Sequence, residues 1–307
     1  MTPLRGIALK LLSIAIFAVM AACVKAARDV APAGEAVFFR SFIALVPVLG
    51  YAAWRGRVRH AVFTRNVRGH AWRGVIGASA MGLSFAALGL LPLPEVIAIG
   101  FAAPILTVVL AIFLLGEVVR LYRWTAVVVG LIGVMVMVWP RLTLIGEGVQ
   151  SGAALGAMLM LGSALLMALA QIHVRQLART EPTLAIVFWF HVTCSLAALL
   201  SLPWGWVWPD PGTWALLVGA GLFGGVAQIV MTESYAHAEA STLAPFDYSA
   251  MIWGLLIGWF AFGEVPESMV VIGAAIVTAA GLAIFWRERQ LGLLARRTAA
   301  RRARTPL

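Results

Sequence analysis

The chain has 307 residues, of which 62% are hydrophobic and only 12% are charged. A soluble domain is about half apolar and about a quarter charged, so this composition excludes a soluble globular protein. The formal net charge of +10 would fit a nucleic-acid-binding protein. The basic residues, however, lie between apolar segments and near the chain ends, where they indicate the orientation of a membrane protein instead.

Apolar stretches predict membrane-spanning helices along almost the whole chain. Between Arg73 and Glu117 the only charged residue is Glu95. One bilayer crossing takes about 20 residues, so this stretch contains two spans, with a tight turn at residues 91–95. The same reasoning predicts ten spans, near residues 7–26, 35–54, 74–91, 95–115, 122–139, 151–172, 183–203, 213–232, 241–262 and 268–286.

The first predicted span carries Lys10 near one end, where we expect its long side chain to reach the lipid headgroups. The segment has no convincing small-residue cleavage site. We therefore expect it to remain as a span rather than to act as a cleaved signal sequence.

The arginines and lysines predict that both termini lie in the cytoplasm. With ten spans and an inner N-terminus, nineteen of these residues fall inside, six of them in the 55–73 loop and seven near the C-terminus. Only Lys25, Arg28 and Arg141 fall outside, and Arg40 lies within a span. Lys and Arg accumulate in cytoplasmic loops, so their distribution favours this orientation. The positive net charge therefore does not require a nucleic-acid partner.

The chain contains two similar halves, residues 1–145 and 146–290, followed by a basic tail, 291–307. A-I-F-L-L-G-E-V (111–118) aligns with G-W-F-A-F-G-E-V (258–265) at a constant offset. Each half has five spans, an odd number, so equivalent spans would cross the bilayer in opposite directions. The predicted fold is an all-α integral membrane protein with ten transmembrane helices in two inverted five-helix repeats, which is typical of alternating-access transporters.

A Gly-Glu pair ends each aligned segment, at 116–117 and 263–264. Each glutamate stands just before the next predicted helix, where a carboxylate meets unpaired backbone N–H groups and the positive end of the helix dipole. We interpret both pairs as folding devices rather than as parts of a binding site.

Polar groups deep within a span are costly in lipid, so each one is a candidate functional residue. Asp247 lies about two turns into the ninth span beside Pro245, which we expect to kink the helix next to a watery cavity. A hydrogen bond between helices is the alternative role for Asp247. In the first half Phe101 takes the place of Tyr248, and Pro104 offers a second kink. We therefore expect the two rings to approach each other near the midplane, between the repeats.

Five further residues are candidates for the cavity. Arg40 can bind a carboxylate with two hydrogen bonds, although a position nearer the outer face also fits a bracing role. His191 fits a packing histidine as well as a cavity residue. Gln171 and Gln228 lie toward the inner ends of spans six and eight, where a cavity mouth can use their amides, and Trp253 offers an aromatic surface.

The sequence predicts no cofactor and no metal, because it has no zinc spacing, P-loop, G-x-G-x-x-G or haem-attachment motif. An intramembrane enzyme would need paired acids, a Ser-His dyad or clustered histidines. Asp247 is the one aspartate placed well inside a span, and the five histidines are scattered along the chain. We therefore do not expect an enzyme.

These features resemble the ten-span branch of the drug/metabolite transporter superfamily, the EamA-type permeases. The resemblance rests on the paired halves, Phe-Phe-Arg-Ser-Phe (38–42) in span two, Pro104 in span four, and the Gly-Glu pairs at 116–117 and 263–264. It implies a multi-pass carrier in a bacterial inner membrane. Members of this family include exporters of amino acids, aromatic ones among them.

The sequence and the resemblance together predict an exporter of amino acids or similar small metabolites. Phe101, Tyr248 and Trp253 would supply apolar contacts, and Asp247, Gln171 and Gln228 would supply hydrogen bonds. A zwitterionic or neutral solute is favoured, because Arg40 is the one basic residue assigned to mid-membrane. A broad-specificity drug or metabolite efflux carrier and a scaffold or receptor stay open as alternatives. Proton coupling through Asp247, passive transport and the oligomeric state are also left open.

Overall fold

The computed structural model describes residues 3–115, 121–143, 151–178, 180–203, 205–238 and 243–304, and within these ranges the protein is all-helical. The elements in chain order are α1 (Pro3–Ala27), α2 (Ala33–Trp54), α3 (Val58–Val62), α4 (Val67–Leu88), α5 (Leu93–Gly100), α6 (Ala102–Leu115), α7 (Leu121–Thr143), α8 (Ser151–Leu177), α9 (Thr183–Leu199), α10 (Pro211–His237), a 3₁₀ segment (Ala244–Ser249), α11 (Ala250–Phe262) and α12 (Ser268–Arg304).

Length and composition identify the chain as a multi-pass membrane protein. Six described segments are long and apolar enough to cross a bilayer: Leu4–Ala27, Ala33–Trp54, Val67–Leu88, Leu93–Leu110, Gly152–Val174 and Pro211–Tyr235. Shorter apolar helices at Trp124–Pro140, Thr183–Leu199, Phe246–Phe262 and Ser268–Ala283 lie where the sequence predicts spans five, seven, nine and ten.

Local sequence signals set several helix ends. The Asn66 side chain accepts a hydrogen bond from Gly69 N (2.9 Å) and caps α4. Asp210 Oδ1 accepts from Gly212 N (2.8 Å) at the start of α10, where Pro211 loses no helical hydrogen bond. Gly263 ends α11 with a φ of 65°, a left-handed conformation that glycine adopts at little cost.

The predicted fourth and ninth spans are both interrupted. In the fourth, Phe101 forms a turn between α5 and α6, three residues before Pro104. Proline cannot donate to the carbonyl four residues earlier, that of Gly100, and its ring would clash there, so the break precedes the proline. In the ninth, the 3₁₀ segment precedes α11. Asp247 and Tyr248 therefore lie in the 3₁₀ segment, not two turns into an α-helix as the sequence predicted.

Helices of the first half pack against helices of the second half. The pairs are α1 with α10, α8 with α4, α2 with α10, α9 with α4, α2 with α9, α5 with α11, and α7 with α12. If each helix is replaced by the helix at the equivalent place in the other half, the α1–α10 pair becomes α8–α4 and the α2–α10 pair becomes α9–α4. The other three pairs stay the same. Each of these pairs therefore joins a helix of residues 1–145 to a helix of residues 146–290.

One end of the bundle, the Lys25 end, comprises residues 25–35, 88–93, 199–211 and 262–268. Lys25 Nζ lies 2.7 Å from Glu264 Oε1 and donates to Leu88 O (3.2 Å). Val207 N donates to Glu35 Oε2 (3.2 Å). Helices α1, α4 and α11 therefore finish at this end, whereas α2, α5 and α10 begin there.

The other end, the Arg55 end, comprises residues 51–70, 173–184 and 228–238. Arg55 Nη2 lies 3.0 Å from Glu233 Oε1, which joins the last turns of α2 and α10. His173 Nε2 lies 3.1 Å from Gly69 O, which places the end of α8 beside the start of α4. Helices α2, α8 and α10 therefore finish at this end.

Candidate functional site

A cavity of about 970 Å³ opens at the Arg55 end between α2, α4, α8, α9 and α10. This volume lies within the range of small-molecule sites. The polar side chains that line the cavity are Tyr51, Arg55, Arg57, His60, Arg73, Thr183, Gln228, Thr232, Glu233 and Tyr235, and the apolar ones include Val174, Ile186, Val187 and Phe190.

A network of hydrogen bonds crosses the cavity mouth. Arg55 Nε donates to Tyr51 Oη (3.1 Å), and the Tyr51 hydroxyl donates to Glu233 Oε1. Arg55 also pairs with this carboxylate through Nη2. Glu233 therefore ties α2 to α10. The Arg55 side chain is exposed, so solvent screens this pair and we expect it to open easily.

We term four side chains the cavity floor: Arg73 and Phe190, which line the cavity, and Arg40 and His191, which contact Phe190 behind this lining. The guanidinium carbon of Arg73 lies 3.7 Å from the centroid of the Phe190 ring, and that of Arg40 lies 5.9 Å from the same centroid. Both distances allow cation–π attraction. Gly77 makes this approach possible, because a Cβ there would overlap the Phe190 ring.

The cavity floor carries positive charge with open hydrogen-bond donors. Among the described residues, neither Arg40 nor Arg73 lies within 4.0 Å of a carboxylate oxygen. Nε and Nη1 of each guanidinium are buried and have no hydrogen-bond partner in the described part of the chain, and the same holds for both ring nitrogens of His191. Arg40 is 5% exposed and His191 is 0% exposed. A guanidinium stays protonated in proteins, so these charges persist.

The structure corrects the sequence prediction for Arg73. The sequence prediction placed this residue in a cytoplasmic loop, because charged residues were taken to mark the ends of the spans. Helix α4 in fact begins at Val67, so Arg73 lies inside it and faces the cavity. Arg40 is therefore not the one basic side chain deep in the protein. Its guanidinium lies over Phe190 of α9, and Gly224 of α10 leaves room for it.

Lys10 is also placed differently from the prediction. Its Nζ lies 2.7 Å from Asp247 Oδ1 and donates to Tyr235 Oη (3.3 Å). The lysine side chain is 2% exposed, so it does not reach the headgroups. Asp247 therefore makes the contact between helices that the sequence left as its alternative role. Because Tyr235 lines the cavity, this ion pair lies one side chain away from it.

Phe101 and Tyr248 meet as the offset between the halves predicted. Their ring centroids are 5.2 Å apart with planes at 62°, an edge-to-face contact. The Tyr248 hydroxyl lies against Gly281 of α12, where a Cβ would overlap it. Neither ring lines the cavity, so this contact joins the two interrupted spans at a distance from the cavity lining.

Of the remaining candidates, Gln228 lines the cavity. Gln171 of α8 and Trp253 of α11 are exposed and do not line this cavity, so their predicted roles stay predictions. Sequence reasoning missed Arg73 and Phe190 as site residues. The one signal for Phe190 was the loose match of Phe38-Phe39-Arg40 with Trp189-Phe190-His191.

At the Lys25 end, Lys25 and Glu264 connect several helix ends. Besides its contacts with Glu264 and Leu88, Lys25 Nζ donates to Leu91 O (2.9 Å). Glu264 Oε2 accepts from Leu93 N (2.8 Å), so this glutamate caps α5 in the other half and not, as predicted, the helix that follows it. The first Gly-Glu pair, Gly116 and Glu117, lies outside the described residues.

No group of three or more His, Cys, Asp or Glu side chains within the described ranges is arranged to hold a metal ion.

Comparisons with known proteins find similarity over most of the length of this chain. The model of the EamA-like transporter family matches residues 4–139 and 154–286. The pseudopaline exporter CntI of Pseudomonas aeruginosa is 29% identical over 286 residues, covering 91% of this chain and 95% of that protein. An S-adenosylmethionine uptake transporter of Rickettsia prowazekii is 25% identical and covers 83% of this chain and 84% of its own. A riboflavin transporter of Vibrio cholerae is 30% identical, with 76% of each chain covered.

A solved structure shares the fold with a TM-score of 0.63 and 20% identity, covering 93% of this chain and 98% of that one.

Proposed function

The chain belongs to the EamA-like transporter family, and we propose that it exports a small metabolite of the amino-acid class by alternating access. The family match confirms the resemblance seen in the sequence and makes the protein a multi-pass membrane transporter. The three relatives act on different solutes, and their names include both an exporter and an uptake transporter. Direction and substrate are therefore argued from the site.

A cavity open at one end and closed at the other carries the proposal. The cavity opens at the Arg55 end, and the Lys25–Glu264 ion pair joins α1, α5 and α11 at the opposite end. The surplus of arginines supports a cytoplasmic position for the Arg55 end and for both termini, and the bacterial relatives support an inner-membrane location. The structure then corresponds to an inward-facing state that is ready to load a solute for export.

The helix ends support the inverted repeat that alternating access uses. Helix α1 finishes at the Lys25 end, whereas its repeat equivalent α8 finishes at the Arg55 end. Helix α4 finishes at the Lys25 end, where its equivalent α10 begins. The interchange of packing partners between residues 1–145 and 146–290 supports the same arrangement.

The cavity lining supports an amino-acid-like solute. Phe190, Ile186 and Val187 offer an apolar wall, while Gln228 and Thr232 offer uncharged hydrogen-bonding groups opposite it. A solute with an apolar side chain and a polar head would use both surfaces. Proton coupling through Asp247 would require the Lys10–Asp247 pair to separate during the cycle.

Counterflow in liposomes tests the proposal. Purified protein in liposomes preloaded with unlabelled amino acids is expected to accumulate labelled amino acid from outside, and empty liposomes are not. The panel includes aromatic amino acids, S-adenosylmethionine, riboflavin and a lipophilic cation, with and without a pH gradient. Movement of the lipophilic cation alone would contradict the amino-acid assignment and favour the efflux alternative, whereas accumulation only under a pH gradient would select proton coupling.

A further inference from the structure

We infer that Arg40 and Arg73, with Phe190 between them and His191 beside them, form a subsite for a carboxylate of the transported solute. The inference rests on the proposed function only in taking the cavity as the place where the solute binds. It adds a positively charged binding surface to a cavity for which the sequence predicted a zwitterionic or neutral solute.

The position of the two guanidinium groups is the first observation. Arg73 lines the cavity, and Arg40 contacts the same Phe190 ring. Arg73 comes from α4 in the first half, and Phe190 comes from α9 in the second half. A solute that reached Arg73 would therefore touch both halves of the protein at once.

The absence of a counter-charge is the second observation. In the described part of the chain, the four ion pairs occupy Asp247, Glu264, Glu233 and Glu181 with Lys10, Lys25, Arg55 and His70. None of them involves Arg40 or Arg73. Each arginine keeps two buried nitrogen donors that have no partner among the described residues. Buried charges are normally paired, so two like charges with open donors need an anion for compensation.

The surroundings favour an organic carboxylate over inorganic phosphate. The Phe190 ring lies against Arg73, and the side chains of Ile186 and Val187 line the same cavity. A small, fully hydrated anion gains nothing from this apolar wall. A carboxylate attached to an apolar group can bind an arginine through its oxygens and cover the wall with the rest of its surface.

The test compares three probes of similar shape on the purified full-length chain in detergent, by titration calorimetry. Phenylacetate carries the carboxylate, phenylacetamide is its neutral counterpart, and phenyl phosphate carries the competing anion. We expect phenylacetate to bind at least about tenfold more tightly than phenylacetamide, the size of effect that a charge-assisted hydrogen bond produces.

Variants assign the effect to the cavity floor. Arg40→Gln and Arg73→Gln are each expected to weaken phenylacetate binding by about tenfold or more and to leave phenylacetamide binding unchanged. Arg73→Lys keeps the charge and is expected to recover part of the loss. Arg59→Gln is the matched control, because Arg59 is exposed, lies outside the cavity lining and contacts only Phe63 among rings.

Chemical protection tests the same inference without any substitution. Phenylglyoxal modifies accessible arginines, and phenylacetate is expected to slow the modification of Arg73 but not of Arg59, as read by mass spectrometry of the peptides. This measurement stands even if Arg40→Gln fails to fold.

Three results would overturn the inference: equal binding of acid and amide to the wild type, acid binding unchanged in both glutamine variants, or tighter binding of phenyl phosphate than of phenylacetate. Failure of all three probes to bind would overturn it as well. Because binding is measured without transport, bound carboxylate together with no solute movement in liposomes would refute the proposed function and leave the subsite standing.

Discussion

Lys10 of α1 and Asp247 of the 3₁₀ segment form an ion pair, with 2.7 Å between Nζ and Oδ1. The pair joins the first predicted span of one half to the interrupted span of the other. Lys10 is almost fully buried, whereas Asp247 is 50% exposed. Removal of the carboxylate would therefore leave a buried ammonium group with Tyr235 as its remaining hydrogen-bond partner in the described structure.

Asp247→Asn is expected to lower stability by about 1–3 kcal/mol, at the low end for a buried pair because the aspartate is half-exposed. The measurement is thermal unfolding in detergent. The double variant Lys10→Met with Asp247→Leu removes both charges and is expected to recover most of the loss. An unchanged melting temperature in Asp247→Asn would show that the ion pair contributes nothing to the fold.

Cross-linking is expected to trap the closed Lys25 end. Cysteines at positions 25 and 264, in a chain with Cys23 and Cys194 replaced by Ala, should react with a short bifunctional thiol reagent because the native side chains meet there. Transport should stop after cross-linking and return after cleavage of the linker. Each single-cysteine variant, treated in the same way, serves as the control. Full transport by the cross-linked protein would rule out opening at this end.

Gly74→Ala is expected to destabilise the protein by about 1–3 kcal/mol, the cost of overpacking. A Cβ at this position overlaps the Thr193 side chain, whose hydroxyl is held by Trp189 O at 2.6 Å and cannot move freely. Gly82→Ala in the same helix has open space and should be neutral or stabilising. Equal melting temperatures for the two variants would contradict close packing of α4 on α9.

Stability is expected to fall in acid through Glu181, which lies between α8 and α9. Burial opposes ionisation, but hydrogen bonds from Thr64, His70 and Arg65 N outweigh it and hold the pKa of Glu181 below its ordinary value of 4.5. A carboxyl with a lowered pKa stabilises the fold above its unfolded-state pKa, and this contribution is lost as the pH falls through the folded-state pKa.

Melting temperatures of the wild type should therefore drop as the pH falls from about 4.5, and Glu181→Gln should flatten this part of the profile. Asp29→Asn, at an exposed carboxylate, is the control. A profile that is the same in Glu181→Gln and in the wild type would exclude this carboxyl as the cause.

Labelling is expected to place Arg57 and Trp208 on opposite sides of the membrane. Both side chains are exposed, one near the Arg55 end of α2 and the other before α10 at the Lys25 end. In the cysteine-free chain, Arg57→Cys should be protected from an impermeant thiol reagent in intact cells, and Trp208→Cys should react. Reaction of Arg57→Cys from outside would reverse the proposed orientation.

Several features of the site follow from local properties of the sequence. Each span depends on the hydrophobicity of about 20 consecutive residues, and this can be read without tertiary contacts. The interruption near Pro104 follows from one missing N–H group. The constant offset between the halves places Phe101 opposite Tyr248, and the structure shows these rings in contact.

Which side chains line the cavity depends on where each helix begins and how it is rotated, and the sequence alone does not give this. Successive side chains on a helix differ in direction by about 100°, so a small error in where a helix begins or how it rotates moves a side chain from cavity to lipid. This is why Gln228 lines the cavity while Gln171 does not, and why Arg73 was assigned to a loop.

The ion partners were likewise decided by tertiary structure. Lys10 is paired with Asp247, and Glu264 with Lys25, because helices far apart in the chain pack side by side. By itself the sequence determined that the chain crosses a membrane many times, since hydrophobicity is a property of consecutive residues, and it predicted two similar halves. Only the packed bundle decided which charges neutralise each other and which two arginines of the cavity floor have no carboxylate partner in the described structure.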